Sequence, residues 1–411
     1  MNFLEINNSF CVEGVPLSDI AKDYGTPAYV YSSSQIENNF NNYYSFLREK
    51  DKVCFSVKSN SNIHILQLLS NLGSGFDVVS SGELKKSLIA GGKSENIVFS
   101  GIGKSQEDIE LALQEKIFSI NLESEAELDR IIKIAKSNGI LANCSIRINP
   151  DISSNSHPFI ETGNKSSKFG LSKTIAIKVA ERAVDSGIIN IIGLASHIGS
   201  QISNKELVLE NLDYLIETTQ ELQNKGFSLK TINLGGGFGI SYKNEPELLP
   251  SEVIKDVLKT ISSLDINLVL EPGRSILGNA GILLTKLEYL KETEAFNFAI
   301  ADSGMNDLLR PSLYGAWHKI STIEKSSEPP RNFNIVGPVC ESADIIGKNR
   351  VLSLDEDSIL AIHDVGAYGY VMSSNYNSRP RPPEILVKDS EVKLIRRRES
   401  FEDLISTESN L

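Results

Sequence analysis

Hydrophobic and polar positions alternate in two registers along most of this chain. From about residue 28, short β-rich apolar runs are each followed by a stretch with helical spacing. The strands predicted are 53–58, 76–80, 97–100, 118–122, 144–149, 192–198, 231–234 and 267–270. Helical runs are predicted between them at 63–71, 83–90, 107–114, 123–137, 174–186, 205–224 and 252–262. In the first of these, Ile65, Leu66, Leu68 and Leu69 share one side. Gly, Asn or Ser closes most of the helical runs, as a left-handed cap would.

Strand–helix units in such a series form a parallel sheet, either an open doubly wound sheet or a closed (β/α)8 barrel. Eight units fit the barrel. The C-terminal strand ends, which converge on one mouth in a barrel, carry Lys58, Asp77, Arg147, His197, the Gly235–Gly237 run and Glu271. Polar groups gathered at one mouth are more easily explained by a ligand than by packing.

After Gly281 the long helical runs stop. Runs at 282–290, 296–301, 334–336, 359–363, 384–388 and 392–396 read as strands with turns between them. The expected organisation is a barrel over residues 28–280 and a mostly β, barrel-like domain from 281–411. Residues 1–27, with β-like runs at 3–6 and 9–12, are expected to join the β domain.

A length of 411 residues agrees with two domains. The net charge of −12 disfavours a nucleic-acid partner, which would need basic surface. Four scattered cysteines make neither a disulfide framework nor a metal site. The chain start lacks a signal-peptide pattern, and no apolar run approaches the ~18–20 residues of a membrane span. A reducing cytoplasmic location is therefore expected.

The chemistry is concentrated in a few strings. Lys58 ends the first strand in Val57-Lys58-Ser59-Asn60, where desolvation would make its amine nucleophilic. Asn233-Leu234-Gly235-Gly236-Gly237 follows the seventh strand and opens a loop whose N–H groups could bind phosphate. Glu271-Pro272-Gly273-Arg274 follows the eighth, placing a carboxylate beside a guanidinium. Alone, each has an ordinary structural reading as a surface lysine, a turn or an ion pair. Together they match pyridoxal 5′-phosphate, which needs an amine, a phosphate loop and a carboxylate on its pyridine nitrogen. His197 could stack on a flat ring, with Ser200 and Gln201 offering hydrogen bonds. Cys340-Glu341-Ser342 supplies a thiol acid and a carboxylate for a substrate ammonium. Arg310 and Tyr314 suit a carboxylate, and Tyr368 follows a glycine turn.

These strings resemble the fold-type III pyridoxal phosphate-dependent decarboxylases. Val57-Lys58-Ser59-Asn60 is similar to the family's lysine motif, and the run from Gly75-Phe76-Asp77 to Gly82-Glu83-Leu84 to its second signature. The branch acting on diaminopimelate is indicated by further strings. These are Arg147-Ile148-Asn149-Pro150, His157-Pro158, Lys168-Phe169-Gly170, His197-Ile198-Gly199-Ser200-Gln201, Gly304-Met305-Asn306-Asp307, Cys340-Glu341-Ser342 and Gly366-Ala367-Tyr368. Ser59 and Ser81 depart from the family pattern without removing a functional group.

The resemblance implies decarboxylation of meso-2,6-diaminopimelate to L-lysine and CO2, the last step of lysine biosynthesis. It implies Lys58 as the cofactor-bearing lysine and His197 on the ring. Asp77, Ser200, Gly237, Pro272, Gly273, Arg274 and Tyr368 would hold cofactor, with Glu271 on the pyridine nitrogen. Arg274, Arg310, Tyr314, Glu341 and Tyr368 would contact substrate. Cys340 would donate a proton from a partner subunit, in a homodimer with shared active sites. The alternatives are a decarboxylase of ornithine, arginine or a carboxylated polyamine, a non-catalytic regulatory homologue, or an amino-acid racemase.

Overall fold

The computed structural model describes residues 3–6, 9–152, 167–243, 245 and 248–408. The chain divides into two units, one of Phe40–Ile240 and Pro246–Ser275, the other of Met1–Asn39, Ser241–Glu245 and Ile276–Leu411.

The first unit is a closed parallel barrel of eight strands: β1 Lys52–Ser56, β2 Gly75–Val78, β3 Ile97–Phe99, β4 Ser119–Leu122, β5 Ala142–Arg147, β6 Ile189–Ala195, β7 Thr231–Asn233 and β8 Asn267–Leu270. Closure comes from β8 pairing with β1, Val269 opposite Lys52 and Leu270 opposite Val53. Strands buried on both faces read as continuous apolar runs, and that is the pattern of Val53–Phe55 and Leu268–Leu270. The helices between strands start on polar caps. Ser80, Ser105 and Ser124 each accept a backbone N–H from the first turn of the helix that follows.

Strand boundaries shift where local geometry intervenes. β1 ends at Ser56, and Val57–Ser59 forms a single 3₁₀ turn closed by Asn60 N–H on Val57 O at 3.0 Å. Lys58 therefore sits on a turn just past the strand end. β6 runs from Ile189 to Ala195, starting and ending about three residues ahead of the expected 192–198, because Ile189–Ile191 pairs with Ala142–Cys144.

The second unit is mostly β. A long strand, Gly281–Glu292, has Ala28–Ser32 on one side and Asn297–Ala301 on the other. Arg331–Val336 and Ile345–Leu352 extend the sheet beyond Asn297–Ala301, and Glu384–Lys388 and Glu391–Arg396 extend it beyond Ala28–Ser32. Ile359–Ile362 also pairs with the long strand. Phe3–Ile6, Ser9–Val12 and Val15–Pro16 form a small antiparallel sheet. Val12 packs in one core with Leu17, Ile20, Ile282, Leu284 and Ile385.

Among the strands that differ from the sequence expectation are Ala28–Ser32 and Ile345–Leu352. Ala28–Ser32 falls at the start of the stretch expected to be barrel, yet it pairs within the β sheet of the second unit. All five of its residues are buried, so periodicity carries no information about which sheet it joins. Ile345–Leu352 lacks a clean alternation because Gly347, Lys348, Asn349 and Arg350 interrupt it and the pairing register shifts.

Candidate active site

The C-terminal mouth of the barrel opens into a cavity of about 400 Å³ whose wall includes Ser56, Lys58, Arg147, His197, Gly236 and Glu271. The topology thus brings together residues from β1 and β8, at opposite ends of the barrel sequence. Lys58, Arg147, His197, Gly236 and Glu271 are all strand-end groups expected from sequence.

Lys58 Nζ donates to Asp77 Oδ2 in a short ion pair and lies 3.4 Å from Ser56 Oγ. Ser56 Oγ is 3.0 Å from Asp77 Oδ2 and 2.8 Å from the Glu271 carbonyl oxygen, so one hydroxyl ties three strand ends together. The other Asp77 oxygen, Oδ1, is buried and has no hydrogen-bond partner.

Asn233 organises the opposite wall. Its amide donates to Glu271 Oε1 at 2.6 Å, and its side-chain carbonyl oxygen accepts Gly235 N–H at 2.8 Å. The Glu271 carboxyl is pushed up to about 7, first by burial and then by the negative charge of Asp77. The Lys58 charge, the Asn233 amide and the Arg147 charge oppose that rise. The site thus holds a carboxylate short of positive partners. Asn233→Ala should leave Glu271 still harder to ionise and release the glycine loop. We expect roughly tenfold weaker cofactor binding, by loss of a hydrogen bond to a charged group worth ~1.5 kcal/mol or more. Equilibrium dialysis of the variant with pyridoxal phosphate measures it.

The glycine loop requires its glycines. Gly235 has φ +68°, and a side chain on Gly237 (φ +98°) would stand 2.1 Å from Gly199 O. Beside it, Arg274 Nη2 and Nε donate to Ser200 Oγ at 3.0 and 3.3 Å. The Pro272 carbonyl accepts Ser56 N–H at 2.9 Å, and Gly273 packs closely against Ser56 and Ser59, so the Glu271–Arg274 turn is fastened to β1.

His197 is held neutral. Burial, then the charges of Arg147 and Lys58, push its imidazolium form well below the usual range. Its Nδ1 accepts Gly236 N–H at 3.2 Å, which leaves the ring proton on Nε2. Arg147 is buried and paired with Glu123 at 3.1 Å, and its guanidinium lies 4.8 Å from the Phe169 ring centre.

The residues fit a pyridoxal phosphate. An amine, a carboxylate short of cations, a close-approach glycine loop and an arginine stand on one mouth. Ser196 Oγ and Asn121 Oδ1, on cavity-lining residues, are buried without a partner. Orphaned buried polar atoms cost ~1–3 kcal/mol each and point to a ligand. Ser56, Asn121, Ser196 and Asn233 escape sequence reasoning, because each looks like an ordinary polar residue at a strand end.

The remaining expected site residues belong to the second unit. Arg310 is buried there, 3.0 Å from His318 Nε2, with its guanidinium 4.9 Å from the Tyr242 ring centre. Tyr314 ends the short helix Arg310–Tyr314. Tyr368 takes φ +57°, a left-handed conformation that costs a side-chain-bearing residue ~1–3 kcal/mol. Cys340 is exposed, whereas Cys11, Cys54 and Cys144 are buried. Glu341 Oε2 accepts Tyr376 O–H at 3.5 Å. His157-Pro158, together with Lys165 and Ser166, lies outside the described residues.

Residues 33–278 match the pyridoxal binding domain of the pyridoxal-dependent decarboxylases. Barrel, lysine turn and glycine loop thus define a pyridoxal phosphate-dependent decarboxylase. The chain is 44% identical to diaminopimelate decarboxylase of Pseudomonas aeruginosa over 97% of its length and 96% of the relative's. It is 43% identical to the Haemophilus influenzae enzyme over the full length of both. A crystal structure of the Helicobacter pylori enzyme complexed with L-lysine superposes with a TM-score of 0.92 at 40% identity, covering 95% of this chain and 99% of that one. The chain belongs to the diaminopimelate decarboxylase family.

Proposed function

We propose that the protein decarboxylates meso-2,6-diaminopimelate to L-lysine and CO2 with pyridoxal 5′-phosphate as its cofactor. The observation that carries this reading is the set of a half-buried Lys58, buried Asn233 and Glu271, and the glycine loop at one barrel mouth, in a chain similar over its whole length to diaminopimelate decarboxylases. Carbon dioxide release from diaminopimelate, with ornithine and arginine in parallel, tests it. Release from diaminopimelate alone, with lysine as product, is expected. Preference for ornithine or arginine would overturn it.

When bound, pyridoxal phosphate supplies the electron sink into which the bond to the departing carboxylate can break. This chain's residues do the rest. Lys58 would hold the cofactor through its amine, and Asp77 and Ser56 orient its Nζ. Glu271 would supply the negative charge that keeps a pyridine nitrogen protonated. His197, neutral, would present an uncharged face to the ring. Ser200, the Gly237 loop and the Glu271-Pro272-Gly273-Arg274 turn would hold the phosphate, with Tyr368 contributing a hydroxyl.

On the substrate side, Arg274, Arg310 and Tyr314 bind the distal amino-acid end. A guanidinium left without a carboxylate is costly, which selects against ornithine and arginine. Glu341 takes the substrate ammonium, and Cys340 hands its thiol proton to the carbon that lost CO2. We assign Cys340 and Glu341 to the neighbouring subunit's site in a homodimer. Cys340→Ala should lower kcat about 10²-fold with little change in KM, as loss of a general acid does. Mixing inactive Lys58→Ala and Cys340→Ala subunits should then restore roughly one quarter of native activity, since half the re-paired dimers carry one intact site. No recovery would argue that each site is built from one chain.

Among the described residues no helix is long and apolar enough to cross a membrane. We assign the enzyme to the cytoplasm.

A further inference from the structure

Cys340 stands on a tight turn of the second unit, and the base of that turn is closed by a single buried carboxylate. Asp344 is 4% exposed. Its Oδ2 accepts the N–H of Val339, the residue before Cys340, at 2.8 Å. Its Oδ1 accepts the N–H of Met305 at 2.6 Å, which lies in the separate Gly304-Met305-Asn306-Asp307 loop. One side chain thus latches two loops that are far apart in the chain. Its backbone completes the turn: Asp344 N–H donates to Glu341 O at 3.0 Å, and Glu341 N–H donates to Val339 O at 2.7 Å.

The surroundings leave the carboxylate little room. A side chain at Gly337 would stand 2.4 Å from Oδ2, and one at Gly304 would stand 2.8 Å from it. Both glycines let backbone approach the Asp344 oxygens as closely as the latch requires. A second tether acts on the turn itself, where Asn377 Oδ1 accepts Cys340 N–H at 2.8 Å. Apart from these contacts the thiol-bearing residue is exposed. Its position is therefore set by what holds its neighbours.

We infer that Asp344 is a positioning residue for the reaction: its two oxygens fix the Val339–Glu341 turn against the Met305 loop and so place the Cys340 thiol. The inference rests on the proposed role of Cys340 as proton donor. Asparagine in its place keeps the shape but has one acceptor oxygen, so one of the two loops is released. A displacement on the order of 1 Å in a reacting group costs up to about 10²-fold in rate.

The test is a double-mutant cycle on the cofactor-loaded enzyme. Asp344→Asn should lower kcat about 10- to 100-fold in the native background. In the Cys340→Ala background, where no thiol remains to be placed, it should change kcat less than about twofold. A merely structural defect would lower both backgrounds by the same factor, and that result, or an unchanged kcat in the native background, overturns the inference. Full turnover in Cys340→Ala alone would instead remove the proton-donor reading, and this inference with it. Should Asp344→Asn not fold, Gly337→Ala pushes directly on Oδ2 and is read through the same cycle.

Discussion

Lys58→Ala should abolish turnover while the barrel survives. Lys58 lines the cavity and pairs with the buried Asp77, and the sequence motif and the geometry support the same role. On the proposed role, its loss would remove the covalent attachment of the cofactor and the proton carrier between substrate exchanges. Proton transfer by a positioned group contributes 10²–10⁴-fold, so a fall in kcat of about 10⁴-fold is expected. The fold should tolerate the change, because the lysine sits on a one-turn 3₁₀ segment outside β1 and its neighbours Val57 and Ser59 carry the packing. Removing it does strip Asp77 of its cation, and Asp77 is fully buried with one oxygen already unpartnered. A loss of stability of about 1–3 kcal/mol, the scale for a buried polar group losing its partner, is therefore expected in the cofactor-free protein. Two measurements separate the parts. Borohydride reduction of the loaded enzyme, followed by mass spectrometry, should find cofactor on the peptide containing Lys58 and none in the variant. Thermal melting should show a lowered but cooperative transition. Retention of turnover, or label on another lysine, would sink the assignment.

Much of this site is legible in the sequence alone, for a physical reason. A parallel barrel places its chemistry at strand C-terminal ends, and strand ends are visible as the places where an apolar run stops on a polar residue. Lys58, His197 and Glu271 each satisfy that rule, whereas Asp77 lies inside β2, ahead of Val78. Closure of the eight units into a barrel is not visible in the same way. It depends on β8 meeting β1, two runs at opposite ends of the barrel sequence whose apolar character suits an open sheet equally well. In the sequence Asn233 is only a polar residue two positions before a glycine run. Its function lies in facing Glu271, a strand away, and no local pattern encodes a cross-strand neighbour. Ser56 is hidden inside a strand run for the same reason. Asp344 illustrates the limit from the other side. Its importance is that two distant backbone N–H groups converge on it, and one of them, from Met305, belongs to a loop that only the fold brings near.

Glu271→Gln should lower kcat by about 10²–10³-fold, the scale for removing one preorganised electrostatic group, with a smaller change in KM. The reason lies in its proton. In the cofactor-free protein the carboxyl is raised from its ordinary 4.5 to about 7, burial being the largest cause. Between those two values the folded chain binds more protons at this site than the unfolded chain. Stability from this group is therefore full below about 4.5 and is lost as pH rises to about 7. A pyridinium cation reverses the local preference, because it favours the ionised carboxylate. Binding below pH 7 must then release the carboxyl proton, so affinity should strengthen as pH rises towards 7, by at most about tenfold per unit. Pyridoxine 5′-phosphate isolates the effect, since it has the ring and phosphate but no aldehyde for Lys58. Its affinity, measured by calorimetry across roughly pH 5 to 8, contains contributions from its own phosphate and ring. Glu271→Gln shares those and lacks the carboxyl. The ratio of native to variant affinity should climb with pH and level off near 7. A ratio independent of pH would show that Glu271 does not meet the pyridine nitrogen, whatever the variant does to turnover.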